Sequence, residues 1–171
     1  MVKKEEKKAK VPEIQLVIFR LREEEFGVNI AEVREIVRMM DITHIPEAPG
    51  FIEGVINLRG QVIAVIDLAK QFRLTSQAEF PKTARIVVIE VQEKTVGLIV
   101  DEVPEVLRIS QDNIEPTPEV IETEIHKDYL KGVGKLEDRL IILLDLEKVL
   151  KPHEVEEVGK ISEEKKAEEG E

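Results

Sequence analysis

No cysteine and no tryptophan occur among the 171 residues, and aromatic side chains make up only 4% of the chain. Without thiols there is no disulfide framework and no thiolate nucleophile or metal ligand, a composition that fits a reducing compartment. No apolar run approaches the roughly 18 residues of a membrane span. The opening MVKKEEKKAK has charge but lacks the apolar core of a signal peptide, so a soluble, cytoplasmic protein is expected. Cations are outnumbered, 25 Lys and Arg against 36 Asp and Glu, giving a formal charge of −11. That field repels nucleic acid, and outside the N-terminal lysines there is no basic cluster to overcome it. The three histidines offer no metal or nucleophile constellation: His44 lies in a proline loop, His126 is two residues from Asp128, and His153 follows the last strand-like segment. What is abundant is charge, 36% of residues, a bias seen in thermophilic proteins. The length suits one compact domain, or two small ones sharing a core.

The chain is organised around Phe51 to Phe72, FIEGVINLRGQVIAVIDLAKQF. Val55, Ile56 and Leu58 belong to one arm of a hairpin, Arg59 and Gly60 to its tip, and Val62 to Ile66 to an unbroken apolar second arm expected to be buried on both faces. Asp67 ends that arm and is placed to cap a short helix over Leu68 to Phe72. The construction returns at Gly132 to Lys148, which aligns without a gap on Gly54 to Lys70 at an offset of 78, with seven of 17 pairs identical. Gly27 to Arg38 similarly echoes Gly97 to Arg108 at an offset of 70. One architecture is therefore used twice, with an eight-residue difference assigned to the proline-bearing stretch Gln111 to Lys127.

Residues 1–12 read as a disordered basic arm, 13–150 as the folded region, and 151–171 as a disordered acidic tail. Within the folded region, one subdomain is expected over about 16–80 and a second over about 81–150. Ile14 to Leu21 and Phe26 to Ile30 form a first hairpin, and Arg85 to Val91 with Thr95 to Val100 its second copy. Asn29 and Glu32 have capping-box spacing, and Val33, Ile36, Val37 and Met40 recur at helical intervals, so a short amphipathic helix carrying Glu35 is expected from Ile30. Pro104 stands where Arg34 stands in the first copy, which predicts a more extended second copy there.

An aspartate in each repeat invites comparison with a two-carboxylate active site. Such a dyad needs small hydroxylic and glycine neighbours, whereas Asp67 and Asp145 are each followed by Leu, so strand-ending caps are the better reading. No phosphate-cradling glycine loop is present either. No enzyme, cofactor or metal site is expected, which leaves a surface for other proteins. Arg59 at the hairpin tip and Glu35 on the short helix, with the apolar residues beside them, are the candidates, because an exposed planar guanidinium suits an interface.

The sequence resembles the chemotaxis coupling protein CheW family. The resemblance is carried by Phe19, Phe26-Gly27-Val28, Val33 with Glu35-Ile36, Ile45-Pro46, Phe51-Ile52 with Gly54-Val55, Asn57-Leu58-Arg59-Gly60, Val65 with Asp67-Leu68, Val96-Gly97 with Val100-Asp101, Pro116 with Pro118, and Tyr129-Leu130 with Gly132. It implies an all-β fold with short helices: two pseudo-repeated SH3-like five-stranded barrels around a shared core. It also implies an adaptor without catalysis of its own, joining chemoreceptor cytoplasmic tips to the regulatory domain of the histidine kinase CheA, and recruited thereby to membrane receptor arrays. Partner-binding residues implied in this way are Val33, Glu35, Gly54, Asn57, Arg59, Gly60, Val100 and Val103. The same fold occurs in CheA and CheV, but the chain has no room for kinase domains and too short a tail for CheV's receiver. A CheV-type module, an unrelated small-barrel binding protein and a carboxylate hydrolase are the alternatives. A basic stripe would favour a nucleic-acid-binding barrel, and turnover lost in Asp67→Asn would favour the hydrolase.

Overall fold

The computed structural model describes residues 12–74, 79–122 and 127–169. The basic arm expected over residues 1–12 lies almost wholly outside the described residues. Among the described residues the strands are β1 (Glu13–Leu21), β2 (Glu24–Asn29), β3 (Val33–Arg38), β4 (Ile52–Leu58), β5 (Gln61–Asp67), β6 (Arg85–Val91), β7 (Lys94–Val100), β8 (Glu102–Ser110), β9 (Ile114–Glu115), β10 (Leu130–Leu136) and β11 (Arg139–Leu144). The helices are α1 (Leu68–Gln71), α2 (Glu119–Glu122) and α3 (Pro152–Glu169), with 3-10 turns at Ile30–Glu32, Gln111–Asn113, Lys127–Tyr129 and Leu146–Lys148. Two sheets result, in the orders β8-β1-β2-β11-β10-β9 and β3-β6-β7-β5-β4.

The repeat is visible in the hydrogen-bond register. Ile52 faces Ile66 and Leu58 faces Gln61 in one central hairpin, and Leu130 faces Leu144 and Leu136 faces Arg139 in the other, every position shifted by 78. Both hairpins bulge at the same place, at Glu53 and at Lys131. The residue after the bulge is glycine in each because a carbonyl passes close by. A Cβ on Gly54 would lie 2.4 Å from the Thr43 oxygen, and one on Gly132 would lie 2.5 Å from the Glu115 oxygen. Those carbonyls belong to an isolated Thr43–Val55 bridge and to the β9–β10 pair Glu115–Val133, so the offset is 72 there. Six of the eight extra residues thus fall after Glu115, inside the stretch expected from the sequence.

The copies exchange their opening hairpins. β5 pairs in parallel with β7, and β11 in parallel with β2, so each central hairpin receives the other copy's opening hairpin. One barrel is continuous, residues 33–100; the other is split, residues 13–29 with 102–144. Division by sheet therefore differs from division by repeat, and position 80 falls within the continuous barrel. The chain crosses between sheets at Ile30–Glu32 and again at Asp101. At the second crossing the Asp101 carboxylate accepts from the Arg22 amide at 2.7 Å and from its guanidinium at 3.0 and 3.1 Å.

Alternation along the strands feeds two kinds of core. Ile56, Leu58, Ile63, Val65, Ile86, Val88 and Ile99 fill the continuous barrel, and Leu16, Ile18, Ile109, Ile141 and Leu143 fill the split one. The opposite faces, with Val62, Ala64 and Ile66 from β5 and Ile142 and Leu144 from β11, meet in a shared core. Val62 to Ile66 is thus buried on both faces, as its unbroken apolar run requires. Four of the few aromatic rings cross this junction in a row: Phe19–Phe26, Phe26–Phe72 and Phe72–Tyr129, with centroids 5.7, 6.0 and 5.2 Å apart.

Three sequence expectations are corrected. The helix expected from Ile30 is a 3-10 turn of three residues followed by strand β3. Asn29 does cap the turn, accepting from the Ala31 amide at 2.9 Å, but the β-branched Val33, Ile36 and Val37 then pair with β6 and alternate in burial. Pro104 is consequently no more extended than its counterpart. Arg34 forms a bulge in edge strand β3, and Pro104 lies beside the equivalent bulge in edge strand β8, where a missing amide costs little. The tail after Lys151 is helical over Pro152–Glu169, not disordered. Pro152 starts α3, the Glu154 carboxylate accepts from the Lys151 amide at 2.8 Å, and Val155, Val158 and Ile161 insert into the shared core.

Candidate protein interaction site

Leu58 and Gln61 bracket the two-residue turn Arg59-Gly60, in which both residues have positive φ, 52° and 89°. Such a turn matches the right-handed twist of its flanking strands, and glycine adopts the second position freely. Asn57 completes it by accepting from the Gly60 amide at 2.8 Å. Asn57, Arg59 and Gly60 are all exposed, and the Arg59 side chain retains 68% of its accessible surface.

The Arg59 guanidinium donates to the Glu35 carboxylate. Glu35 comes within reach because it follows the Arg34 bulge in β3, at the opposite edge of the same sheet from the β4–β5 hairpin. The pair therefore closes the seam of the continuous barrel. Its hydrogen bond and charge raise the Arg59 pKa above the ordinary arginine value, against a small opposing effect of burial. Arg59 is thus a permanent cation, held in a fixed direction on an exposed tip.

The split barrel has a corresponding pair. Arg139, the first residue of β11, binds Glu105 at 2.8 Å, and Glu105 is the counterpart of Glu35 at the offset of 70. Arg139 also holds Glu25 through two bonds of 3.1 and 2.9 Å, and its side chain is only 34% exposed. Arg59 remains largely exposed beside Glu35, whereas Arg139, which aligns with Gln61 at the offset of 78, is folded into a network with Glu25 and Glu105.

The remaining expected site residues divide by burial. Val33 and Val103, equivalent in the two copies, are partly buried against the shared core. Val100 is fully buried and Gly54 lies under the Thr43 carbonyl, so both shape the surface from beneath. Exposed apolar residues on the strands are absent from the expected set. The expected helix puts Ile36 on its apolar stripe, but on the outer face of β3 it is 37% exposed beside Arg34 and Arg38, and Val106 repeats it on β8 at 46%. Reading Val33 to Arg38 with period two would have found it.

Asp67 and Asp145 occupy equivalent strand ends as caps. Asp67 accepts from the Ala69 and Lys70 amides at 3.1 and 3.4 Å, and Asp145 from the Glu147 amide at 3.1 Å. Burial, chiefly, lifts the Asp67 pKa from its ordinary value, with the Lys70 amide, Arg22 and the Lys70 charge opposing the rise and Glu53 adding to it. Among the described residues no group of three or more His, Asp or Glu is placed to hold a metal ion, and no helix is long and apolar enough to cross a membrane.

Comparison with known proteins agrees with this architecture. The profile of the CheW-like domain matches residues 15–154. The chemotaxis protein CheW of Treponema pallidum is 34% identical over 87% of this chain and 89% of its own length. That of Klebsiella aerogenes is 35% identical over 86% and 88%. The crystal structure of scaffolding protein TtCheW from Thermoanaerobacter tengcongensis superposes with a TM-score of 0.75 at 41% identity, covering 82% of this chain and 94% of that one.

Proposed function

The chain belongs to the CheW-like family, and on that premise we propose that it is a chemotaxis adaptor that holds chemoreceptor tips and the histidine kinase CheA at the same time. It carries out no catalysis. It works in the cytoplasm and reaches the membrane only through the receptors it binds. The kinase's regulatory domain docks on one barrel, and the receptor's helical tip on the surface between barrels. Val33, Glu35, Gly54, Asn57, Arg59, Gly60, Val100 and Val103 contribute to these contacts, the buried ones by shaping the backbone beneath.

The observation that carries this reading is the Arg59–Glu35 pair on an exposed, conformationally fixed hairpin tip. A guanidinium already oriented by one carboxylate loses little further rotamer freedom on docking. Its outward donors remain open to a partner's carboxylate or carbonyl groups.

Titration against purified kinase regulatory domain and receptor tip, separately, tests the site. Arg59→Ala is expected to weaken at least one affinity by about tenfold or more, the scale of a hot-spot arginine. Wild-type affinity for both partners in a folded variant would reduce Arg59 to a turn residue.

A further inference from the structure

The two barrels differ at one pair of equivalent faces. In the continuous barrel, the shared-core face of β5 is covered at its outer end by α3, which packs along β5 and β7. Val62 is consequently only 6% exposed. Its counterpart at the offset of 78 is Leu140, which extends the face of Ile142 and Leu144 on β11 and is 45% exposed. The helix that covers Val62 lies outside the repeat, because the second copy ends near Lys148 and α3 follows it.

Charge is reversed between the two faces. Val62 and Lys94 lie two residues before the registered pair Ala64–Val96, and the acidic helix α3 rests directly on Lys94. A Cβ on Gly159 would come within 2.9 Å of the Lys94 stem, so the helix is in close contact there. Leu140 and Glu24 lie two residues before the equivalent pair Ile142–Phe26. Around Leu140, Glu23 and Glu24 on one hairpin and Glu137 and Asp138 on the other are exposed. Neighbouring cations are engaged elsewhere: Arg139 with Glu25 and Glu105, Lys135 with Glu115 at 2.7 Å, and Arg22 with Asp101.

We propose that the acid-rimmed Leu140 face is a docking site for a basic amphipathic helix of a partner protein, the charge-reversed equivalent of the seat that α3 occupies on the other barrel. An apolar stripe at the spacing of Val155, Val158 and Ile161 would cover Leu140, and lysines beside it would meet Glu24 and Glu137. This face belongs to the split barrel, whereas the Arg59–Glu35 pair belongs to the continuous one.

The test uses the full chain and a helical peptide of about 20 residues, long enough to hold helix when docked, with the α3 apolar spacing and lysines at its polar positions. A glutamate version is the control. The lysine peptide is expected to shift the amide resonances of Glu24 and Leu140 and to bind about tenfold or more tightly than the control at low salt. Leu140→Asp should remove that binding without changing melting. The double change Glu24→Lys with Glu137→Lys should reverse the preference between peptides. Absence of binding, equal affinity for both peptides, or shifts confined to Val155–Ile161 through displacement of α3 would overturn the proposal. So would a shift of the Leu140 amide on deleting residues 1–11, which would assign the face to the chain's own lysine-bearing arm.

Discussion

Arg59 closes a barrel seam through Glu35, and the proposed function gives it a second role, presenting a cation to a partner. Exchanging the charges, Arg59→Glu with Glu35→Arg, separates them: the swapped pair should restore melting to wild type while binding remains impaired. Restored binding would show that the pair acts only through the barrel. The pair was legible as two candidate residues, from the Asn-Leu-Arg-Gly tip and the family resemblance, but their contact was not, because it depends on a bulge at Arg34 that leaves no mark in local sequence. Asp67 offers a sharper test of electrostatics. Its pKa is raised by burial, so the stability it contributes is fully present below the unfolded value of about 3.9 and is lost as pH rises through the folded value. Ionised Asp67 is therefore a partial liability at neutral pH. Asp67→Ala, which loses the cap, should cost roughly 0.5–2 kcal/mol, whereas Asp67→Asn, which keeps the acceptor without the charge, should cost less at pH 7 than at pH 3. Urea denaturation at the two pH values would show it. A larger deficit of the Asn variant at pH 7 would mean that the charge strengthens the cap more than burial penalises it.

Elements ending in short, well-marked turns were the most legible. The central hairpins and their Asp caps follow from patterns a few residues long, and the repeat doubles each signal. The segment after Ile30 is ambiguous in the sequence because Val33, Ile36, Val37 and Met40 satisfy a helical period as well as Val33, Glu35 and Val37 satisfy an alternating one. Pairing with β6 decided between them, and that strand is some 50 residues away. Helix α3 carried a readable start, Pro152 followed by Glu154, but its apolar stripe of Val155, Val158 and Ile161 is thin among charges. The shared core, not propensity, stabilises it. Amide exchange should accordingly show Val155 to Ile161 protected nearly as well as β5; exchange at unfolded-chain rates would return the segment to disorder. The β6–β7 turn holds Gln92 and Glu93 both at positive φ, 49° and 67°. Replacing them with Asn and Gly should stabilise the chain by about 1 kcal/mol, read as a higher urea midpoint at constant slope.

For the whole molecule, exchange of opening hairpins is the central physical fact. Each barrel contains strands from both copies, and the aromatic row from Phe19 to Tyr129 lies in a core that neither barrel can bury alone. Duplication was readable from the two offsets, but exchange was not, because parallel pairing of β5 with β7 and β11 with β2 is a property of assembly. Calorimetry should therefore show one unfolding transition with matching calorimetric and van't Hoff enthalpies, not two. Two surfaces locked to one core in this way have a fixed mutual geometry, which is what an adaptor requires to hold two partners at once. The most direct test is co-sedimentation of the kinase with receptor-bearing membranes, with and without this chain. The kinase should pellet with the membranes in a ratio that rises with added chain and falls with Arg59→Ala. Kinase sedimentation unchanged by the chain, with each partner still binding it singly, would contradict the adaptor reading.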